Sequence, residues 1–267
     1  MQNRARAHGR LSDQLRPLHV TFDVFPNASG SLLFSCGNTK ILCAVTLQAG
    51  VPQFVRGTGS GWLNAEYALL PASTSPRSQR DSATTRTNKR AIEISRLISR
   101  ALRTVCDLST LGERTITVDC DVLQADGGTR VASITAASIA LHLAQERWLQ
   151  SNEIAQPFLQ DSVAAIAVGV QDDQILLDPD YEEDSIMQAD FNVVMTKSGK
   201  LIEIQGGAEK SPIAWELFDD VRYAACEGIK QLFTFFDGQT QSNAKPTVSS
   251  EQRAPFFSLK NRLQQQL

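Results

Sequence analysis

The sequence has few histidines and no closely paired cysteines, and both shortages limit its chemistry. Only three histidines occur among the 267 residues, and each stands apart from the others: His8, His19 and His142. The five cysteines form no C-x-x-C pair, and most lie within apolar strand or helix patterns, which favours reduced and buried thiols. A histidine-based triad, a zinc site and a disulfide framework are therefore not expected, and reduced thiols indicate a cytoplasmic protein.

Long apolar runs, a phosphate-loop motif and a strong net charge are also missing. No stretch approaches the length of a membrane span, and the first residues, MQNRARAHGR, lack the apolar core of a signal peptide. The absence of a GxxxxGK[ST] run argues against a P-loop nucleotide hydrolase. Because the net charge is only −3, any nucleic-acid site must be a local basic patch. We expect no membrane partner.

The order of the predicted elements indicates an α+β fold of two similar halves, each a mixed β-sheet packed with helices. In the first half, strands are predicted over residues 20–25, 30–34, 40–48, 63–70 and 115–123, and helices over 89–108 and 133–149. In the second half, strands are predicted over 163–170, 175–177, 191–196 and 201–206, and a helix begins at Ser211-Pro212 and ends at about Phe236.

This order predicts two domains and a tail. The N-terminal domain covers residues 1–160 and begins with an ordered arm over 1–17. An exposed linker over residues 151–160 leads into the C-terminal domain, which covers 161–236. Residues 237–267, rich in Gln, Ser, Asn and Lys, are predicted to form a flexible or short-helical tail.

The stretch from Ile116 to Arg130, ITVDCDVLQADGGTR, combines a strand, a glycine turn and the start of a helix. The glycines of the turn, Gly128 among them, let the backbone approach a ligand closely. Thr129 offers a hydroxyl and Arg130 a bidentate fork, while free N–H groups at a helix start favour an oxyanion such as phosphate. The alternative is an ordinary strand-to-helix turn, in which the glycines only provide unusual backbone angles.

Two other basic features could belong to the same site. Arg90 lies in the first turn of the helix predicted over 89–108, where a cation opposes the helix dipole unless an anion is bound or solvent screens it. Residues 71–86, PASTSPRSQRDSATTR, are nearly devoid of apolar side chains and contain Arg77, Arg80 and Arg86. This segment is either a solvated loop or a mobile basic loop that follows a phosphodiester backbone.

Asp184 and Asp190 lie six residues apart, on either side of the point where the strand over 191–196 begins. Carboxylate oxygens suit Mg²⁺ or Mn²⁺, which bind through one or two carboxylates together with substrate phosphates. Alternatively, one carboxyl could be a general acid for a leaving 3′-hydroxyl, or the cluster could be a plain exposed acidic turn. An anion site, a basic loop and an acidic pair together indicate phosphoryl transfer.

Several segments between residue 9 and about residue 235 also match known signature segments: GRLSDQLRP, TKILCAVTLQAGVPQF, GSGWLNAEYALLP, RAIEISRLISRALR, TITVDCDVLQADGGTR, YEEDSIMQADFNVVMT and LIEIQGGAE. Together they resemble the RNase PH family. The strand–DGGTR–helix segment and the EDS-x₄-D-x-NVVMT segment are highly specific in combination.

The resemblance implies an RNase PH-like fold and a phosphate-dependent 3′-to-5′ exoribonuclease, a transfer-RNA nucleotidyltransferase. Inorganic phosphate would attack the terminal phosphodiester of precursor transfer RNA and other RNA 3′ ends and release nucleoside diphosphates, and the reverse reaction would extend RNA. By motif position, the resemblance implies phosphate binding by Arg90, Gly128, Thr129 and Arg130, catalysis and Mg²⁺ or Mn²⁺ binding by Asp184 and Asp190, and RNA binding by Arg77 and Arg80. It also implies a homohexamer, a trimer of dimers.

The chain departs from the usual family pattern at a few positions. Ala72 replaces a loop arginine, Asn88-Lys89 replaces a Gly-Gly pair, and Asn38 replaces an aspartate. These changes leave every proposed catalytic residue in place, although the first could weaken the RNA contact. Two alternatives stay open: a catalytically silent RNA-binding ring subunit of an exosome-like assembly, and a phosphate- or nucleotide-binding protein without RNA.

Overall fold

The computed structural model describes residue 6, residues 9–80 and residues 88–243, with side chains up to residue 239. Every strand predicted from the sequence is present, and the α+β fold of two sheets with packed helices is confirmed. In these described ranges, no helix is both long enough and apolar enough to cross a lipid bilayer. Arg86 and residues 244–267 lie outside the described residues.

The first half is a five-stranded mixed sheet with two long helices. Its elements are β1 (Leu18–Phe22), β2 (Gly30–Cys36), β3 (Thr39–Ala49), β4 (Trp62–Leu69), α1 (Lys89–Arg103), β5 (Arg114–Gln124) and α2 (Thr129–Gln150). The strand order is β1-β2-β3-β5-β4. The first three strands form the predicted antiparallel meander, and β4 runs parallel to β5, so that both strands end at the same edge of the sheet.

The second half is a four-stranded sheet in which all neighbours are antiparallel. Its elements are β6 (Val163–Gln171), β7 (Gln174–Leu177), α3 (Tyr181–Ile186), β8 (Ala189–Thr196), β9 (Leu201–Ala208) and α4 (Trp215–Asn243). The strand order is β7-β6-β8-β9, which makes β9 an edge strand. The short helix α3 was not predicted, and it lies just before β8 at the acidic segment.

Helix α2 joins the two halves because it packs against β2 and β3 of the first sheet and β6 of the second. Its residues from Thr129 to Leu141 are almost all buried, as expected for a helix whose small and apolar side chains cover its whole circumference. Thr135 and Ser138 accept hydrogen bonds from the backbone N–H groups of Ala165 (3.0 Å) and Val163 (3.0 Å). These bonds fasten the start of β6 to α2, so one apolar core spans both sheets.

Two predicted boundaries around α1 and α2 are wrong. Helix α1 ends at Arg103 instead of residue 108, because the chain beyond it pairs with the segment after α2: Asp107 N–H donates to the carbonyl of Phe158 at 2.7 Å. The predicted linker over 151–160 is therefore not exposed throughout. Ile154 and Phe158 are buried, and Gln145 accepts hydrogen bonds from two backbone N–H groups of this segment.

The last helix begins later and ends later than predicted. Ser211 does not cap it, because the Ser211 hydroxyl accepts a hydrogen bond from Gln188 Nε2 at 2.9 Å, and α4 starts only at Trp215. The helix continues to Asn243, beyond the predicted end at about Phe236. The division into domains at residue 160 and the nature of the tail stay predictions.

Candidate active site

The glycine turn after β5 leads directly into α2. Gly127 and Gly128 both have positive φ values, +73° and +63°, which side chains other than glycine rarely adopt. Gly128 is the N-cap of α2 and has no side chain with which to cap it. The N–H groups of the first helical turn and the positive end of the helix dipole therefore point toward the region beside Thr129, as the anion site requires.

The turn is held from both sides. Thr39 Oγ1 accepts from Asp126 N–H (3.0 Å) and donates to the carbonyl of Gly127 (2.8 Å). Asn38 Nδ2 donates to Asp126 Oδ2 at 3.1 Å, a bond that an ionised aspartate at position 38 could not make. On the other side, a Cβ at Gly127 would lie 2.7 Å from the carbonyl carbon of Asp180, so only glycine allows the turn to pack against the start of α3.

The Thr129 hydroxyl is hydrogen-bonded to a buried tyrosine. Tyr67, on β4, donates its hydroxyl proton to Thr129 Oγ1 at 2.9 Å, which leaves the hydroxyl proton of Thr129 able to donate to an anion. Burial raises the pKa of Tyr67, while the Thr129 bond and the positive charges of Arg90 and Arg130 act against that shift. Arg90 lies in the first turn of α1 and Arg130 in the first turn of α2, and the charges of both act on Tyr67.

Arg130 already has two protein partners. Its Nη2 donates to Glu93 Oε2 on α1 at 2.9 Å, and its Nη1 donates to Gln205 Oε1 on β9 at 2.6 Å. The Arg130 side chain is 21% exposed, so part of the guanidinium faces solvent. Its position is thus set by both halves of the molecule, and donors remain for an anion.

Helix α3 starts against the glycine turn and carries the first acidic residue. The phosphate-binding groups predicted around this turn, Arg90, Gly128, Thr129 and Arg130, are called the cradle below. Asp180 accepts from Glu183 N–H (2.9 Å), and Glu183 accepts from Asp180 N–H (3.1 Å), which forms a capping box. The helix carries Asp184 on its surface, and Asp190 follows in β8. The D-x-x-E pattern was a sequence signal for this helix that the element prediction missed.

The pKa values of Asp184 and Asp190 are both raised. Desolvation by the surrounding protein raises the pKa of Asp184, and the negative charges of Asp190 and Glu209 raise it further, while Arg90 opposes the change. Desolvation and the charge of Glu209 likewise raise the pKa of Asp190, and Arg130 opposes that change. The glycine turn packs against the start of α3, and Arg130 bonds to Gln205 on β9, the strand that pairs with Asp190 on β8, so the predicted anion site and the acidic pair are neighbours.

The edge strand β9 supplies side chains that the sequence analysis did not assign. In the antiparallel register Gly207 lies opposite Asp190, so Gln205, Gly207 and Glu209 follow one face of the strand. Gly207 has open space where a side chain would be, and Glu209 lies beyond it. Sequence analysis missed Tyr67, Gln205 and Glu209, although the alternation in the hairpin after Asp190 was a signal for the last two.

The N-terminal arm is anchored beneath the site by buried ion pairs. Arg16 donates to both carboxylate oxygens of Asp178, from Nε at 3.0 Å and from Nη2 at 2.6 Å. Arg6 contacts both carboxylate oxygens of Glu183 (2.7 and 2.5 Å), and Arg10 contacts one of them (2.8 Å). The ordered arm predicted for this region is confirmed for its described residues, and it holds α3 against the rest of the fold.

The basic loop begins next to the cradle. The carbonyl of Ser73 accepts from Ala125 N–H at 2.9 Å, at the end of β5. Arg77 and Arg80 follow in an exposed segment without helix or strand, and Arg86 lies outside the described residues. Ala72 is exposed in the short 3-10 helix Pro71–Ser73 that precedes them. Their roles in RNA binding stay predictions.

The acidic pair fits a divalent cation by its chemistry. Mg²⁺ and Mn²⁺ prefer oxygen ligands and often bind through one or two carboxylates together with substrate phosphates. In the part of the chain that the structure describes, no group of three or more His, Cys, Asp or Glu side chains is arranged to hold a metal ion. Metal binding by Asp184 and Asp190 stays a prediction.

Two family models match the chain. Residues 14–145 match domain 1 of the 3′ exoribonuclease family, and residues 161–227 match domain 2. Ribonuclease PH from Tropheryma whipplei (strain Twist) is 48% identical over 231 residues, which cover 85% of this chain and 93% of that protein. Ribonuclease PH from Neisseria meningitidis (strain FAM18) is 45% identical over 235 residues, covering 88% and 95%.

Solved structures show the same fold at lower identity. A crystal structure of Rrp46 from rice (Oryza sativa) has a TM-score of 0.71 at 20% identity and covers 88% of this chain and 99% of that one. A chain of an Archaeoglobus fulgidus exosome with RNA in its active site has a TM-score of 0.72 at 22% identity and covers 86% and 92%. Both domain models and the similarity to ribonuclease PH over most of its length show that this chain belongs to the ribonuclease PH family of 3′ exoribonucleases.

Proposed function

We propose that the site between α2, α3 and β8 carries out phosphorolysis of RNA from its 3′ end. The protein is a phosphorolytic 3′ exoribonuclease and transfer-RNA nucleotidyltransferase. One observation supports this most directly: the glycine turn before α2 packs against the start of α3, and Arg130 bonds to Gln205 on the strand that pairs with Asp190, so the arginine and the acidic pair lie together. Ribonuclease PH proteins at 45–48% identity support the same activity.

Inorganic phosphate is the attacking group. The first-turn N–H groups of α2, the Thr129 hydroxyl and the guanidinium groups of Arg90 and Arg130 hold it, because each can donate to an anionic oxygen. One phosphate oxygen forms a bond to the terminal phosphorus of RNA. The bond from that phosphorus to the 3′ oxygen of the preceding nucleotide breaks, and this oxygen takes up a proton. The products are a nucleoside diphosphate and an RNA shorter by one nucleotide.

The acidic pair acts on the leaving side of the reaction. Asp184 and Asp190 would hold Mg²⁺ or Mn²⁺, which supplies Lewis-acid stabilisation of charge on phosphoryl oxygens when it is bound. Both carboxyls have raised pKa values, and this is the environment expected where two carboxylates share a site. The departures from the family pattern at Asn38, Asn88 and Lys89 remove none of the cradle residues and neither aspartate.

RNA reaches the site along the basic loop. Arg77, Arg80 and Arg86 contact the phosphodiester backbone of precursor transfer RNA and of other RNA 3′ ends, as arginine-rich segments do for single strands. The working form is a homohexamer, a trimer of dimers. Large apolar side chains that are exposed on the single chain support self-association: Phe54, Leu201, Trp215 and Tyr223, between 58% and 80% exposed.

A product assay tests this function. The protein is incubated with a 3′-extended transfer RNA and Mg²⁺, with and without inorganic phosphate. We expect shortening only when phosphate is present, with nucleoside diphosphates as products. Monophosphates formed without phosphate would mean hydrolysis and would refute the cradle. RNA binding without products would favour the silent ring subunit, which the intact set of site residues argues against.

The variant Arg130→Ala tests phosphate binding separately from the stability of the fold. We expect it to abolish phosphorolysis without unfolding the protein, because it removes an anion fork from a partly exposed position. Arg222→Ala is the matched control, since Arg222 is 62% exposed on α4 and pairs only with Asp219 at 3.6 Å among the contacts of the described residues. Full activity of Arg130→Ala would contradict the assignment.

A further inference from the structure

Arg130 is oriented by a chain of polar side chains that begins on β9. Gln205 Oε1 accepts from Arg130 Nη1 at 2.6 Å. The amide nitrogen of the same residue, Nε2, donates to Glu203 Oε1 at 2.8 Å. A flipped amide would place its NH₂ group against the guanidinium and its oxygen against a carboxylate, so Glu203 fixes the orientation in which Gln205 accepts from Arg130.

Glu203 is itself held by an arginine. Arg100 on α1 donates from Nε to Glu203 Oε2 at 2.8 Å and from Nη2 to the other oxygen, a bidentate pair. The Glu203 side chain is only 14% exposed, whereas the Arg100 side chain is 55% exposed. The Glu203 carboxylate is thus shielded from solvent, and it accepts from Arg100 on α1 and from Gln205 on its own strand.

The chain of contacts closes on α1. Glu93, which accepts from Arg130 Nη2 at 2.9 Å, lies seven residues before Arg100 and therefore on the same face of the helix. The closed ring thus runs from Glu93 through Arg130, Gln205, Glu203 and Arg100 back to α1. It joins α1 and α2 of the first half to β9 of the second.

The ring leaves Arg130 able to bind an anion. A guanidinium has five N–H groups, and within the described residues the ring uses two of those of Arg130. Only one of its two partners, Glu93, carries a negative charge. Gln205 is neutral, so it positions the fork without adding a second carboxylate that would compete with phosphate.

We propose that Gln205 is a positioning residue for phosphate, oriented by Glu203 and Arg100, and that its neutral amide preserves the charge of Arg130 for the anion. This inference rests on the proposed function, because it takes Arg130 as a phosphate ligand. Gln205 does not touch the reacting atoms, and it acts through the guanidinium. Its loss should change the affinity for phosphate and leave the affinity for RNA unchanged.

The first test replaces Gln205 by methionine, which keeps the length of the side chain but removes its amide. We expect the KM for phosphate to rise about tenfold, the size of effect of losing one hydrogen bond to a charged group, with kcat and the KM for RNA within about twofold of wild type. Gln231→Met is the matched control, since Gln231 is exposed on α4 and, among the described residues, donates only to the carbonyl of Asp13. It should change neither constant.

The second test replaces Gln205 by glutamate, which keeps the shape and an acceptor for Arg130 but adds a charge. The KM for phosphate should rise more than in Gln205→Met, because two carboxylates then compete with the anion. Glutamate also places a carboxylate beside Glu203, where the Gln205 amide donates at 2.8 Å, so the unfolding of both variants in urea is measured as well. A merely structural role predicts a loss of stability with an unchanged KM for phosphate. Calorimetric titration of the full-length proteins with inorganic phosphate gives the same ranking without turnover.

The outcomes separate this inference from the proposed function. If wild-type shortening of RNA does not depend on phosphate, the proposed function itself fails. Suppose that the wild-type protein requires phosphate and that Arg130→Ala has no phosphorolytic activity. If both Gln205 variants then keep the wild-type KM for phosphate, only the positioning role is overturned. A loss of kcat with unchanged KM for phosphate in both variants would overturn it as well.

Discussion

The buried pair of Arg16 and Asp178 offers a quantitative test of how the N-terminal arm supports the site. The Asp178 carboxylate accepts three hydrogen bonds from Arg16: from its backbone N–H (2.9 Å), Nε (3.0 Å) and Nη2 (2.6 Å). It also accepts one from the Cys36 thiol at 3.3 Å. Both side chains are nearly inaccessible, at 5% and 2% exposure. Arg16 Nη1 also donates to the carbonyl of Asp126, so the same side chain holds the glycine turn.

Replacing Arg16 by methionine should destabilise the protein strongly. The change leaves the Asp178 carboxylate buried without its paired cation and without two of its side-chain donors, although the charge of Arg10 still acts on it. Removal of one partner of a buried ion pair costs about 3–5 kcal/mol, against a total stability of about 5–15 kcal/mol for a typical protein. The double variant Arg16→Met/Asp178→Asn should lose less than the sum of the single variants, because no charge is then left unpaired.

The pH dependence of the loss has a definite sign. In the wild type, burial would raise the pKa of Asp178, but the hydrogen bonds and charge of Arg16 prevail and lower it. The pair's contribution is therefore complete above the unfolded pKa of about 4 and is lost as the pH falls through the lower folded value. Without Arg16, burial raises the pKa instead, so the deficit of the variant should shrink as the pH is lowered from 7 toward about 5.

Urea unfolding of wild type and variants at about pH 7 and about pH 5 measures both effects. Arg147→Met is the matched control, because Arg147 pairs with Asp23 on the surface, where the side chains are 40% and 61% exposed, and such pairs contribute about 0–1 kcal/mol. A loss below about 1 kcal/mol for Arg16→Met, or a deficit that does not change with pH, would refute the reasoning.

Three further variants probe the site. Asp184→Asn should lose metal-dependent turnover and still bind RNA in a gel-shift assay, and a parallel loss of RNA binding would make the acidic pair structural. Tyr67→Phe removes the bond to Thr129 and should raise the KM for phosphate about fivefold in steady-state kinetics, whereas an unchanged KM would show that this bond does not orient Thr129 for phosphate. Gly127→Ala should lower the melting temperature and the activity, because its Cβ would clash at 2.7 Å, whereas Gly199→Ala, with φ of +85° but open space, should affect stability alone.

Local patterns were sufficient where the physics is local. Alternation of apolar and polar residues or a short apolar run identified every strand, β6 being buried on both faces, and helical spacing identified α1, α2 and α4. Boundaries failed where a tertiary contact competed with a local signal. The hydroxyl of Ser211 bonds to Gln188 instead of capping α4, and the backbone after α1 pairs with the segment around Phe158.

The sequence by itself determined the family and predicted the glycine turn with its arginine and the acidic pair. Glycines at positive φ, a hydroxyl and an arginine are adjacent in the chain, so Gly128, Thr129 and Arg130 could be recognised without coordinates. The tertiary structure decided how this turn meets the carboxylates. Asp190 lies sixty residues beyond Arg130, and only the packing of α2 between two sheets brings them together. The supporting groups Tyr67 and Gln205 come from separate strands, because hydrogen bonds between side chains depend on spatial distance, which sequence separation does not encode.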